Sequence, residues 1–116
     1  NFRVRGKSSE EAEAIRSQAS TLQQDGAFSI VFECIPEKLA ADLTGSLTIP
    51  TIGIGAGKYC DGQVLVINDL IGLSSGSHPK FVKKFADTAG TIEQAVRTFS
   101  NEVQNGIFPD SDHTYH

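Results

Sequence analysis

"FSIVFECIPEKLAADLTGSLTIPTIGIG", residues 28–55, holds two apolar runs separated by a short amphipathic stretch. Residues 28–35 are nearly continuous in apolar and β-branched types, the composition of a parallel strand covered on both faces. Pro36 stops the run and suits the first turn of a helix. Leu39, Ala40 and Leu43 then recur at helical spacing, and Gly45 can end that helix. Leu47–Gly55 reads as a second strand with Pro50 near its start. Strand, helix and strand in so short a span make a βαβ unit, whose crossover is almost always right-handed.

A third apolar run, Val64–Ile67, ends in Asn68 and Asp69 and is read as a third strand. Only residues 56–63 precede it, whereas a parallel crossover usually takes a dozen residues or more. Either the connection is one irregular turn, or this run is not a regular parallel strand. Upstream, Ser8-Ser9-Glu10-Glu11 is a capping-box pattern. Ala12, Ile15, Ala19 and Leu22 continue it as one apolar stripe, predicting a helix from about Ser9 to Asp25 with Gly26 as its left-handed terminator. After the loop "GLSSGSHP", residues 72–79, two further helices are expected. Phe81, Val82, Phe85 and Ala86 form the stripe of the first. Thr91 and Gln94 make a second capping box ahead of Ile92, Ala95, Val96, Phe99 and Val103, with Gly106 and Pro109 closing that helix.

Strands alternating with helices predict an α/β protein with a parallel sheet. Three strands cannot close a barrel, and so small a sheet leaves edges unpaired. Residues 1–116 therefore read as a single partial domain, and the polar tail 110–116 is expected to be mobile.

Composition narrows the function classes. The 116 residues carry a formal net charge of −4 and 39% hydrophobic residues, which suits a globular chain and argues against a nucleic-acid partner. Lys80, Lys83 and Lys84, the one sizeable basic cluster, read as a solvated helix face. No stretch approaches the roughly 20 apolar residues of a membrane span. The basic opening Asn1–Lys7 has no apolar segment behind it, so a signal peptide is not expected. The first residue is not Met, and an origin inside a longer gene product is expected. Cys34 and Cys60, with no second pair for a zinc site, point to reduced thiols and a cytoplasmic location.

Three features compete for the chemistry. Glu33 is a lone carboxylate at the carboxyl end of an apolar strand, the end that faces the active site in parallel α/β folds. Either it turns outward or pairs with an Arg, or it is a general base. Gly53-Ile54-Gly55-Ala56-Gly57 leaves backbone bare, which either forms a tight turn or admits a ligand close to the main chain. It matches neither a Walker A loop nor G-x-G-x-x-G. Asp69 could ligate a metal, orient a base or cap a turn. His78, His113 and His116 show no ligand spacing.

Taken as a set, "FSIVFECIPEKLA", "IPTIGIGAG", "CDGQVLVINDLIGL", "PKFVKKFAD" and "EVQNGIFPDSDHTYH" resemble the C-terminal part of the 3-methyl-2-oxobutanoate (ketopantoate) hydroxymethyltransferase family. The opening "FRVRGK" is similar to that family's segment after its fifth strand. The resemblance implies a (βα)8 barrel roughly twice this length, of which the chain supplies about strands six to eight and the terminal helices. It implies hydroxymethyl transfer from 5,10-methylenetetrahydrofolate to 3-methyl-2-oxobutanoate, giving 2-dehydropantoate, the first step toward pantothenate and coenzyme A. Mg2+, a cytoplasmic homodecamer and a proton-accepting glutamate at the position of Glu33 are implied as well. The family's metal carboxylates and its substrate-binding Ser and Lys come from the first four strands, and none of those motifs occurs here. Asn68 stands where many members have His. Metal ligands are therefore expected in a missing N-terminal half, and the chain alone is expected to be inactive. The folate-binding residues stay unassigned. Two rival readings are a half-barrel kept as an interaction module, and a small nucleotide-binding domain built on Gly53–Gly57.

Overall fold

The structure is a computed structural model and describes residues 3–116; the first two positions of the basic opening, Asn1 and Phe2, lie outside the described residues. The described chain separates into two compact units. The first runs to Val66 and includes Ser77–Lys83; the second comprises Ile67–Gly76 and Lys84–His116.

In the first unit, α1 spans Ser9–Gln24, β1 Ile30–Glu33, α2 Glu37–Ser46, β2 Thr51–Ile54 and β3 Gly62–Gln63. Ser8 caps α1 as its sequence predicts, its hydroxyl accepting from Glu11 N at 3.2 Å. The Glu11 carboxylate reaches back past the cap to accept from Gly6 N at 3.0 Å. That bond, then the Arg5 side chain and the charge of Arg3, holds the carboxyl below its ordinary range against a partial desolvation that opposes them. Gly26, at φ 95°, turns the chain out of α1. Pro36 stands one residue before α2 as its N-cap, and the helix runs past Gly45 to Ser46.

The three strands form one parallel sheet in the order β1-β2-β3. Ile30 and Phe32 pack with Ala19 of α1 and with Leu39, Ala40 and Leu43 of α2 into one buried cluster, with Ala12 and Ile15 against it. Burying a side chain such as Phe32 contributes about 1.5–3 kcal/mol. Polar groups complete the sheet's base. Thr51, fully buried, donates its amide to Asp61 Oδ2 at 2.8 Å, and its hydroxyl lies 2.8 Å from that of Thr44.

The third strand is displaced from its expected place. The ladder uses Gly62 and Gln63, and its last bond runs from Val64 N to Gly53 O at 3.0 Å. Residues 64–66 carry no regular structure, and Ile67–Leu70 forms a single helical turn, α3. Both alternatives raised by the short connection therefore hold: residues 55–61 are one irregular turn, and the apolar run is not a regular strand.

In the second unit, α4 spans Thr88–Gln104. Its N-cap is Asp87, which accepts from Gly90 N at 3.2 Å, and not Thr91 as the second capping box predicts. Thr91 lies in the first turn and donates its hydroxyl to Asp87 O at 3.1 Å. Gly106, at φ 68°, follows the helix end as expected. The predicted helix over Phe81–Ala86 does not form. Backbone pairing agrees: Phe85 N, which a helix would pair with the carbonyl of Phe81, donates instead to Leu70 O of α3 at 2.8 Å. Lys80, Lys83 and Lys84 are consequently exposed on irregular backbone, not on a helix face. Within the tail, Ser111–His113 forms a 3-10 turn capped by Asp110.

Candidate active site

β1 sends its side chains alternately to two faces. Ile30 and Phe32 enter the helix-covered face, while Val31 and Glu33 occupy the other, where Val31 is 58% exposed. Within this chain α1 and α2 lie on one side of β1 only, and among the described residues the Glu33 face is uncovered. Glu33 is the last residue of the strand and pairs in register with Ile54 of β2.

The next residue turns the chain. Cys34 has φ 53°, a left-handed conformation uncommon outside glycine. Two main-chain bonds of 2.9 Å hold it there, from its own N–H to Ile54 O and from Arg5 N to its carbonyl. Such strain, of order 1–3 kcal/mol, persists only where the surroundings over-determine it. Cys34 is 6% exposed; burial, and then the charge of Glu33, pushes its pKa up.

A cleft of about 830 Å3 opens past the carboxyl ends of β1 and β2, reached from Cys34, Gly55 and Gly57. The glycine loop shapes it. Gly55 and Gly57 sit at φ 66° and 79°, and a Cβ at Gly55 would lie 2.8 Å from the Phe81 ring. A Cβ at Gly57 would collide with the Glu37 side chain. Gln63 Nε2 donates to Gly57 O at 2.9 Å, and Lys58 N donates to Glu37 Oε2 at 3.3 Å. The loop is therefore pinned from both sides with its backbone toward the cleft.

The remaining candidates divide. His78 and Lys80 line the cleft. Asp69 lies inside the turn of α3, not at a strand end. His113 belongs to the tail, with Nδ1 2.5 Å from Asp110 Oδ1, and His116 is the exposed last residue. Cys34 and Cys60 are both free thiols. Sequence reasoning missed Glu37, Asp61 and Gln63. Their signal is the alternation Gly53, Gly55, Gly57 just upstream, because the left-handed residues Gly55 and Gly57 fold the loop back onto its flanks.

A family model described as ketopantoate hydroxymethyltransferase matches residues 1–111. The chain belongs to the ketopantoate hydroxymethyltransferase family. It is 50% identical over 115 residues to the 3-methyl-2-oxobutanoate hydroxymethyltransferase of Chlorobaculum parvum, covering 99% of this chain and 42% of that protein. Its identity to the enzyme of the same name from Syntrophus aciditrophicus is 50% over 114 residues, 98% of this chain and 42% of that one. For the Citrifermentans bemidjiense protein of that name the figures are 50%, 98% and 43%. The family resemblance read from the motifs is borne out, as is the α/β class with a small parallel sheet. The chain spans about two-fifths of the length of these curated relatives, 42% for the first. No helix among the described residues is long and apolar enough to cross a membrane.

Proposed function

We propose that this chain is the C-terminal part of a (βα)8 enzyme that transfers a hydroxymethyl group from 5,10-methylenetetrahydrofolate to 3-methyl-2-oxobutanoate, giving 2-dehydropantoate. The observation that carries it is the position of Glu33 in a chain of this family: last on β1, on the uncovered sheet face, one residue before a cleft. In this reading residues 1–116 are one partial domain, the N-terminal remainder of the barrel covers the Val31–Glu33 face, and the full protein is a cytoplasmic homo-oligomer, a decamer by family likeness.

The Glu33 carboxylate takes the proton from C3 of the keto acid, becoming a carboxylic acid and leaving an enolate. The donor's methylene gives up both of its carbon–nitrogen bonds, one replaced by the new bond to C3 and the other by the hydroxyl from water. The proton taken by Glu33 and the second proton of that water go to the two folate nitrogens, and tetrahydrofolate leaves. Glu33 is exposed in this chain, and in this reading the remainder of the barrel encloses it. Mg2+ is the expected metal, yet among the described residues no three His, Cys, Asp or Glu side chains gather to hold an ion. Its ligands are assigned to the remainder of the protein, and no step above runs through it.

The test is turnover. The complete protein, given both substrates and Mg2+, forms 2-dehydropantoate detectable by mass spectrometry, and the 116-residue chain alone does not. A complete protein without product would overturn the reading, and full turnover by the lone chain would overturn the placement of the missing half.

A further inference from the structure

We infer that the cleft beyond β1 and β2 seats the 2-amino-4-oxopteridine ring of the one-carbon donor, with Glu37 accepting from the ring's 2-amino group and adjacent N3–H. The inference rests on the proposed transfer reaction and assigns to this site a ligand that the family likeness leaves without residues.

The cleft's volume of about 830 Å3 lies within the roughly 300–1,000 Å3 typical of small-molecule sites. Glu37 lines it from the first turn of α2, and its carboxylate is already aimed: Oε2 accepts from Lys58 N, and the stem lies against Gly57 where any Cβ would collide. One main-chain bond uses only part of a carboxylate's capacity of about four lone pairs. A carboxylate facing two parallel N–H donors makes the bidentate, charge-assisted pair that fixes a planar group in register. The 2-amino-N3–H edge of a pteridine presents those two donors. The 3-methyl-2-oxobutanoate carboxylate presents none and meets a like charge, so Glu37 selects the donor over the acceptor.

The other walls fit a flat ring. Gly55 and Gly57 bring bare backbone to the cleft, and the Phe81 ring lies against Gly55. Lys80 adds a cation suited to the acidic tail of a folate. Cys34, the residue after Glu33, lines the cleft.

The experiment compares the complete protein with its Glu37→Ala and Glu37→Gln variants. It reads KM for methylenetetrahydrofolate, Kd for tetrahydrofolate by calorimetry, KM for the keto acid, and folate-independent exchange of the keto acid's C3 proton in D2O. Glu37→Ala is expected to raise the folate KM and Kd about 10–100-fold, with a smaller rise for Glu37→Gln, while exchange continues and the keto-acid KM stays put. Folate constants within about twofold of wild type would overturn the assignment. So would a rise confined to the keto-acid KM, which would place the acceptor in the cleft. Loss of exchange in step with transfer would reduce Glu37 to a structural support of the loop and overturn it as well. A wild-type protein that neither exchanges nor transfers would instead defeat the proposed reaction on which the inference rests.

Discussion

In α2, Leu39, Ala40 and Leu43 are 5%, 0% and 3% exposed, whereas in α4 Ile92, Val96, Phe99 and Val103 are 49%, 61%, 55% and 47% exposed. The two stripes are equally regular in sequence. The difference lies in what each can reach: α2 has β1 and α1 against it, and α4 shows no buried residue among those described. The same contrast runs across β1, with Phe32 at 4% and Val31 at 58%. Periodicity decides which side of an element is apolar; burial needs a second surface. A contiguous exposed apolar face on a chain marks an interaction surface, which fits a chain spanning 42% of its relatives' length.

The sharpest way to break this contrast is to cut the two stripes in the isolated chain and follow urea unfolding. Phe32→Ala is expected to cost about 3–5 kcal/mol, a large fraction of any small domain's stability. Val96→Ala should cost less than about 0.5 kcal/mol. Comparable costs would mean that α4 is packed after all. At the glycine loop, Gly55→Val places a β-branched residue at φ 66° with its Cβ 2.8 Å from Phe81, and a loss of about 1–3 kcal/mol is expected. Unchanged melting would show that the loop bends without the left-handed residue. The smallest effect concerns Glu11. Its folded pKa is lowered, first by the Gly6 amide, so its contribution is present above the ordinary carboxylate range and fades as pH falls through the lowered value. An acid titration should release the Gly6 amide in wild type, while Glu11→Gln leaves it released throughout. A Gly6 amide signal that never moves would contradict the bond.

Much of the first unit was legible because local signals and tertiary partners agree there. Ser8 caps α1, Pro36 separates β1 from α2, and the Leu39–Leu43 stripe finds β1. Legibility fails where partners override pattern. Val64–Ile67 has strand composition, but the ladder ends at Val64 N and the chain turns into α3. Phe81–Ala86 has helical spacing, but the amide of Phe85 is held by the Leu70 carbonyl of α3. At the site, Glu33 was visible as a charge in an apolar run. Glu37 was not, because its bond to Lys58 crosses 21 residues and exists only through the left-handed turns at Gly55 and Gly57.

The central claim is that Glu33, placed last on β1, removes the proton. The direct measurement is exchange of the C3 proton of 3-methyl-2-oxobutanoate in D2O, followed by NMR, for the complete protein and its Glu33→Gln variant without any folate. Removal of a general base typically costs about 10²–10⁴ in rate, and exchange should fall by that factor while keto-acid binding persists. An exchange rate within about threefold of wild type would contradict the assignment of Glu33 as the base.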